Sequence, residues 1–177
     1  MKILDTEILL EREYSRYKTR NFQTRNGRKG SWEFIERTSD TRAVVINAYH
    51  PEYIVLIKQL RLPMNCYCLE FPAGLIDAGE SPESSAEREL LEETGFTGKV
   101  TSISPLLCTS PGLTSETVYM VNMEITGEQD CQQLEDSEDI EVVLLPRANP
   151  IPALNDYRLA NPEVVIDTKV WLAINGH

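Results

Sequence analysis

The stretch that decides the fold runs from Gly74 to Phe96, GLIDAGESPESSAERELLEETGF, and it gathers seven carboxylates and one arginine in what reads as a single helix. Ser81 followed by Pro82 is a helix start, because a serine hydroxyl caps free amides and a proline at the first helical position gives up no needed donor. Gly95 is a stop. Between them, at about 100° per residue, Ala86, Leu90 and Leu91 fall on one side while Glu89, Glu92 and Glu93 fall within about a 100° arc on the other. Like charges three and four residues apart cost about 0.2–0.5 kcal/mol per pair on an exposed helix. Such crowding is offset where hard cations such as Mg²⁺ or Mn²⁺ sit among the oxygens. Arg88, at the edge of the arc, is placed to tether one glutamate. A solvated acidic face is the other reading of such a helix.

The rest of the chain bounds the answer. At 177 residues, with 41% hydrophobic and 25% charged residues, it is the size of one domain with a small extension. No apolar run approaches the roughly 18–20 residues that span a bilayer. The start, MKILDTEILLERE, meets acids by Asp5 and Glu7, which does not fit a secretory or mitochondrial leader, so a cytoplasmic location is expected. Of the four cysteines only Cys66 and Cys68 are close, without the spacing of a zinc or redox pair, and reduced structural thiols are expected. A net charge of −11 repels nucleic acid and anionic membranes. A phosphate ligand would need metal cations or a local basic patch.

Residues 1–40 alternate aromatic, aliphatic and charged positions around the turn signal RNGRKG and read as a strand and hairpin extension. TRAVVINAY and EYIVLIKQL read as an antiparallel pair, and NCYCLEFPAG as a strand ended by Pro72 and Gly74. GKVTSISPLLC, SETVYMVNMEITG and IEVVLLP follow as strands, with GEQDCQQLEDSED a loop. DTKVWLAIN reads as a short helix capped by Asp167. One strong and one modest helix among strands indicate mixed α and β architecture, with residues 41–177 as the main domain.

Counted from Gly74, the pattern is glycine, five residues, Glu80, seven residues, Arg88, Glu89, an aliphatic, any residue, Glu92, Glu93, any residue, Gly95 and an apolar residue. In this it resembles the Nudix box. The resemblance implies an α/β/α sandwich around a mixed sheet and hydrolysis of a nucleoside diphosphate linked to another moiety. It implies metal ligation by Glu89, Glu92 and Glu93 with the carbonyl of Ala73, Arg88 as organiser, and Glu80 orienting the loop. Glu83 and Glu87 lie off this face.

Pro111, 15 residues past Phe96 in TSPGLTSE, is similar to the proline of the ADP-ribose pyrophosphatase subgroup. KQLRLPMNCYCLEFPAGLID and SWEFIERT extend that similarity. The resemblance implies an Mg²⁺-dependent hydrolase, with Mn²⁺ as a substitute, converting ADP-ribose to AMP and ribose 5-phosphate and also cleaving other ADP-sugars. It implies that Trp32 and Tyr14 clamp the adenine, one from each subunit of a homodimer with swapped N-terminal extensions, although Tyr14 stands where the subgroup has tryptophan. A strand residue packed on the core is the other reading of Tyr14. Arg37 and Arg61 are placed at the diphosphate, where guanidinium grips phosphate oxygens in a fork. Glu33, Leu75 and Ser110 line the substrate, and Glu138 serves as general base, with Glu135, Asp136, Asp139 and the box glutamates as rivals. The loop around Glu138 is expected to act as a lid. Two alternatives stay open: cleavage of NADH or a diadenosine polyphosphate, and a Nudix module that binds a nucleotide without catalysis. His50 and His177 need no functional role.

Overall fold

The computed structural model describes residues 1–39 and 42–176, so the boundary expected between residues 40 and 41, and His177, lie outside the described residues. Strands are β1 (Lys2–Glu11), β2 (Ser15–Gln23), β3 (Lys29–Arg37), β4 (Ala43–Tyr49), β5 (Tyr53–Arg61), β6 (Cys66–Glu70), β7 (Ala73–Leu75), β8 (Gly98–Ile103), β9 (Leu107–Cys108), β10 (Thr117–Ile125), β11 (Ile140–Pro146) and β12 (Val165–Ile166). The helices are α1 (Pro82–Thr94), α2 (Pro150–Ala160) and α3 (Thr168–Asn175). Two compact units result: Met1–Arg42 with Leu106–Val118, and Ala43–Pro105 with Tyr119–His177.

In the first unit β1, β2 and β3 form an antiparallel sheet in that order. Gly27, at φ +84°, makes the turn that RNGRKG signals, with Thr24 N–H bonded to the Arg28 carbonyl at 2.8 Å. Residues 106–118 are stitched to β3: Ile35 N–H donates to Leu113 O and Ser115 N–H to Ile35 O. β1 is exposed along its whole length, and Ile3, Ile8 and Leu10 are each more than half exposed. A strand with that many apolar side chains in water is a surface that association would cover.

The second unit is a mixed sheet in the order β12-β6-β5-β4-β10-β8, with β11 on β5 and β7 on β4. β12 runs parallel to β6, while β5, β6 and β11 pair antiparallel. Val44, Ile46, Ala48 and Val55 pack with Ala86, Leu90, Phe96, Val121 and Met123 in one core under α1. Val45, Leu56 and Leu69 alternate with that set and are equally buried, so both faces of the sheet are covered. α2 packs on β11, α3 on β6, and the two helices on each other. This is the expected α/β/α sandwich.

The sequence reading found α1 and α3 but missed α2, and read one strand where β6 and β7 are two. Its N-cap Asn149 makes no side-chain cap bond and Pro150 and Pro152 fall in its first turn, so packing on β11 rather than a local start signal holds this helix. The four cysteines are free, and burial pushes the Cys68 thiol up to about 11, as inert structural thiols require. Among the described residues no helix is long and apolar enough to cross a membrane.

Candidate active site

The two glycines that bracket the acidic stretch shape it. A Cβ on Gly74 would lie 1.9 Å from the Glu89 carboxyl carbon, so a side chain there would push that carboxylate out of its place. Gly95 closes α1 at φ +74°, and a Cβ there would meet the Asp130 carbonyl at 2.0 Å. At the other end Ser81 and Ser84 form a reciprocal capping box ahead of Pro82. The helix is thereby held at both ends without help from its crowded acids.

Arg88 is the hub of those acids. Its Nη1 donates to Glu89 Oε1 at 2.8 Å and to Glu92 Oε2 at 3.0 Å. Its Nη2 reaches the Leu75 carbonyl and Glu80 Oε2, both at 3.0 Å, and its Nε reaches Glu80 Oε1 at 3.1 Å. Arg88 and the Ser85 hydroxyl hold the Glu80 carboxyl down at about 2, and Glu80 also accepts the Asp77 N–H at 3.2 Å. Glu80 thus ties the loop before α1 to the helix. Glu83 and Glu87 face solvent.

Glu93 departs from the expected face. It is 2% exposed and shares the buried side of α1 with Ala86 and Leu90, since three, four and seven residues along a helix return to one stripe. Its Oε2 accepts the Ala73 N–H at 2.9 Å. Burial pushes its carboxyl up to about 8 against that bond, and Glu89 and Glu138 push the same way. Burial also raises Glu89, with Arg88 opposing and Glu92 and Glu138 adding to the rise. Two carboxyls held in excess of nearby positive charge are the chemistry of a divalent-cation site. Among the described residues no three acidic, histidine or cysteine side chains stand in a ready metal-holding group. Arg88 occupies the space between Glu80, Glu89 and Glu92 instead. The bonds above engage Oε1 of Glu89, Oε2 of Glu92 and Oε2 of Glu93, so each has a second oxygen to offer a hard cation.

The loop at 127–139 closes the C-terminal end of α1. Gln133 N–H caps the Glu92 carbonyl at 2.8 Å, Asp130 N–H the Gly95 carbonyl at 2.9 Å, and Gln129 Nε2 the Thr94 carbonyl at 2.9 Å. Glu138 is half-buried at the loop's far end, where its Oε2 accepts the Glu135 N–H at 2.9 Å. β5 and β11 pair Gln59 with Ile140, and continuing that register by two residues puts Glu138 opposite Arg61. Glu135, Asp136 and Asp139 are exposed, and Asp139 is taken by the Tyr67 hydroxyl.

Arg61 forks onto Glu70, Nε to Oε1 at 2.8 Å and Nη2 to Oε2 at 2.9 Å, and Glu93 adds to the field that stabilises its charge. Glu70, 8% exposed, was missed in the sequence because its partner lies on another strand. Gln59 Oε1, two positions before Arg61 on β5, is buried with no bonding partner among the described residues.

The other expected residues lie in the first unit. Trp32 Nε1 donates to the Gly112 carbonyl at 3.0 Å, beside Pro111 and the exposed Ser110. Trp32, Phe22, Phe34 and Pro111 line an apolar cavity of about 550 Å³. Glu33 points to the opposite sheet face, where the Tyr17 hydroxyl donates to it. Arg37 is held by Glu116, Nε to Oε1 at 2.9 Å. Tyr14 is 75% exposed between β1 and β2, so it does not pack on a core.

Comparison with known proteins agrees with this architecture. The NUDIX domain family matches residues 37–171. This chain belongs to the Nudix family. An ADP-sugar pyrophosphatase of Mus musculus is 34% identical over 184 aligned positions, covering 96% of this chain and 84% of that protein. An ADP-ribose pyrophosphatase of Saccharomyces cerevisiae is 39% identical over 131, covering 66% of this chain and 57% of that protein. A crystal structure of an ADP compounds hydrolase superposes with a TM-score of 0.68 at 23% identity, over 91% of this chain and 94% of that one, which shows the shared fold. The chain is a Nudix hydrolase, and Nudix ADP-ribose pyrophosphatases use divalent metal ions.

Proposed function

We propose that this Nudix hydrolase cleaves the pyrophosphate bond of ADP-ribose with Mg²⁺ and water, releasing AMP and ribose 5-phosphate, and that of other ADP-sugars, releasing AMP and the corresponding sugar phosphate. The observation that carries the reading is the buried, charge-crowded Glu93 beside Glu89 and Glu92, in a chain similar to an ADP-sugar and an ADP-ribose pyrophosphatase. Glu89, Glu92 and Glu93, with the Ala73 carbonyl, would hold the ion, and Mn²⁺ would substitute for Mg²⁺. A divalent cation there would neutralise diphosphate charge and acidify water. Arg88 keeps Glu89 and Glu92 aimed while Glu93 is aimed by the Ala73 amide.

Glu138 takes the proton of the attacking water, because it is the loop acid that is half-buried and in register with Arg61. Arg61 is pre-oriented by Glu70 and Arg37 by Glu116, and each is a candidate grip on phosphate oxygens. Leu75 and Ser110 are further candidates for substrate contact, while Glu33 lies on the face of β3 opposite Trp32, bonded to Tyr17. Trp32 stacks on the adenine. Ser15 pairs with Arg37 and Thr38 N–H bonds the Tyr14 carbonyl, so Tyr14 sits six residues along the ladder from Trp32, about 20 Å at 3.3 Å per residue. One chain therefore does not clamp a base between the two rings. A homodimer that brings Tyr14 of a second copy to Trp32, with residues 1–40 exchanged, supplies the clamp and covers the apolar β1. A cytoplasmic location fits this substrate.

The test is a panel of ADP-ribose, other ADP-sugars, NADH and diadenosine polyphosphates with Mg²⁺, scored for AMP release. ADP-ribose turned over fastest, and silenced by EDTA, supports the reading. Equal rates on all compounds would remove the substrate assignment, and turnover in EDTA would remove the metal. Glu138→Gln is expected to lower kcat about 10²-fold, with Glu135→Gln near wild type.

A further inference from the structure

The sheet of the second unit carries a cavity of about 450 Å³ on the face turned away from α1. On β4, Val44, Ile46 and Ala48 pack under α1, so Asn47 and Tyr49 point to the other side. Val121 and Met123 also pack under α1, which turns Asn122 of β10 the same way as Asn47. Asn47 Nδ2 donates to Asn122 Oδ1 at 2.8 Å, and Asn122 Nδ2 donates to Ser102 Oγ on β8 at 2.9 Å. A polar row thus crosses three neighbouring strands. Asparagine is depleted in strands, so two of them bonded side by side in mid-sheet need a reason beyond folding. Phe71 and Ile174, both buried, line the same hollow and give it an apolar wall.

The charged residue of the lining is Arg147, and no carboxylate lines the cavity among the described residues. Its guanidinium lies over the Tyr49 ring, 4.3 Å from the centroid, and its Nη1 reaches the His50 carbonyl at 3.5 Å. Its backbone N–H is bonded to the Glu52 carbonyl at 2.9 Å. These contacts hold the guanidinium plane and leave its other N–H donors open. Acidic residues outnumber basic ones 28 to 17 in this chain, yet among the described residues Arg147 makes no ion pair. A planar fork kept clear of acids is a place for an oxyanion from outside.

We propose that this cavity binds a small organic oxyanion, a carboxylate or a phosphate ester on an apolar body, with Arg147 taking the charged oxygens. The Ser102 hydroxyl accepts from Asn122, so its own proton is free to donate to the ligand, and Asn47 has a second N–H to offer. Phe71 and Ile174 take the apolar body. An apolar wall with a few convergent polar groups, at this volume, is the make-up of a small-molecule site. The sheet stands between this hollow and the acids of α1, so the proposal does not rest on the substrate assigned above.

The experiment titrates the full ¹⁵N-labelled chain, in EDTA, with phenyl phosphate, benzoate and phenol, and follows amide shifts. At least one of the two anions is expected to bind in a saturable way, moving Asn47, Ser102 and Asn122 and leaving Glu92 of α1 in place. Phenol, with the ring and no charge, should bind about tenfold more weakly. Binding of phenyl phosphate alone assigns a phosphate ester, and binding of benzoate alone assigns a carboxylate. Arg147→Gln should weaken binding about tenfold or more, and Ser102→Ala about fivefold. Arg158→Gln, on α2, removes the same charge elsewhere and should titrate as wild type. Arg147→Lys, which keeps the charge and loses the fork, should fall between, and it carries the test if Arg147→Gln does not fold. No saturable binding of either anion, phenol bound as tightly as the anions, shifts at α1 instead of the polar row, or unchanged affinity in the Arg147 variants each overturns the site.

Discussion

The acidic helix and the N-terminal sheet build their sites from opposite ranges of sequence. Around α1, Arg88 finds Glu80, Glu89 and Glu92 within eight positions, all reachable by helix geometry and one short loop. In the β1–β3 unit Trp32 meets Gly112 across 80 positions, and Arg37 meets Glu116 across 79. Local pairs follow from the helical repeat. Distant pairs follow from which loop the sheet happens to hold, here residues 106–118, through backbone bonds to Ile35.

Substitutions can break this contrast, and the largest effects belong to the local cluster. Glu93→Gln is expected to lower kcat about 10³-fold or more with Mg²⁺ present, since several kcal/mol of transition-state stabilisation is at stake, while circular dichroism stays native. Gly74→Ala drives a methyl group into the Glu89 carboxylate and should cost about 10²-fold in kcat/KM, the scale of a misplacement of about 1 Å. Trp32→Ala should act on KM instead, raising it about 5- to 150-fold for the loss of about 1–3 kcal/mol of base stacking. A kcat loss equal to that of Glu93→Gln would erase the division of labour between the two regions.

The last effect is on stability and not on catalysis, a pH dependence in EDTA. The Glu93 carboxyl is raised from 4.5 to about 8 in the fold, so between those values the native state binds a proton that the unfolded chain has released. Stability therefore falls as pH rises from about 4.5 to about 8, and is flat from this group outside that window. The Tm difference between pH 5 and pH 8.5 should shrink in Glu93→Gln. An identical fall in both proteins would place the titration elsewhere.

Much of the second unit was legible because its signals are short-range. Ser81, Pro82 and Gly95 mark the ends of α1, Asp167 marks α3, and runs of β-branched residues mark β4, β5, β10 and β11. α2 was not legible, because prolines at its start and an uncapped Asn149 leave its helicity to packing. Glu93 was read onto the wrong side of α1 because a charged residue is ordinarily assigned to solvent. Only its turn toward Ala73 shows that the core stripe ends in a carboxylate.

By itself the amino-acid sequence determined the helix, its caps, the glycines that admit Glu89 and close α1, and the identity of the acids, because each depends on neighbours within one or two turns. Only the tertiary structure decided that Glu93 is buried and that Glu70 and Glu116 hold Arg61 and Arg37. Those arrangements depend on strand register and loop closure, which join residues that the chain keeps far apart.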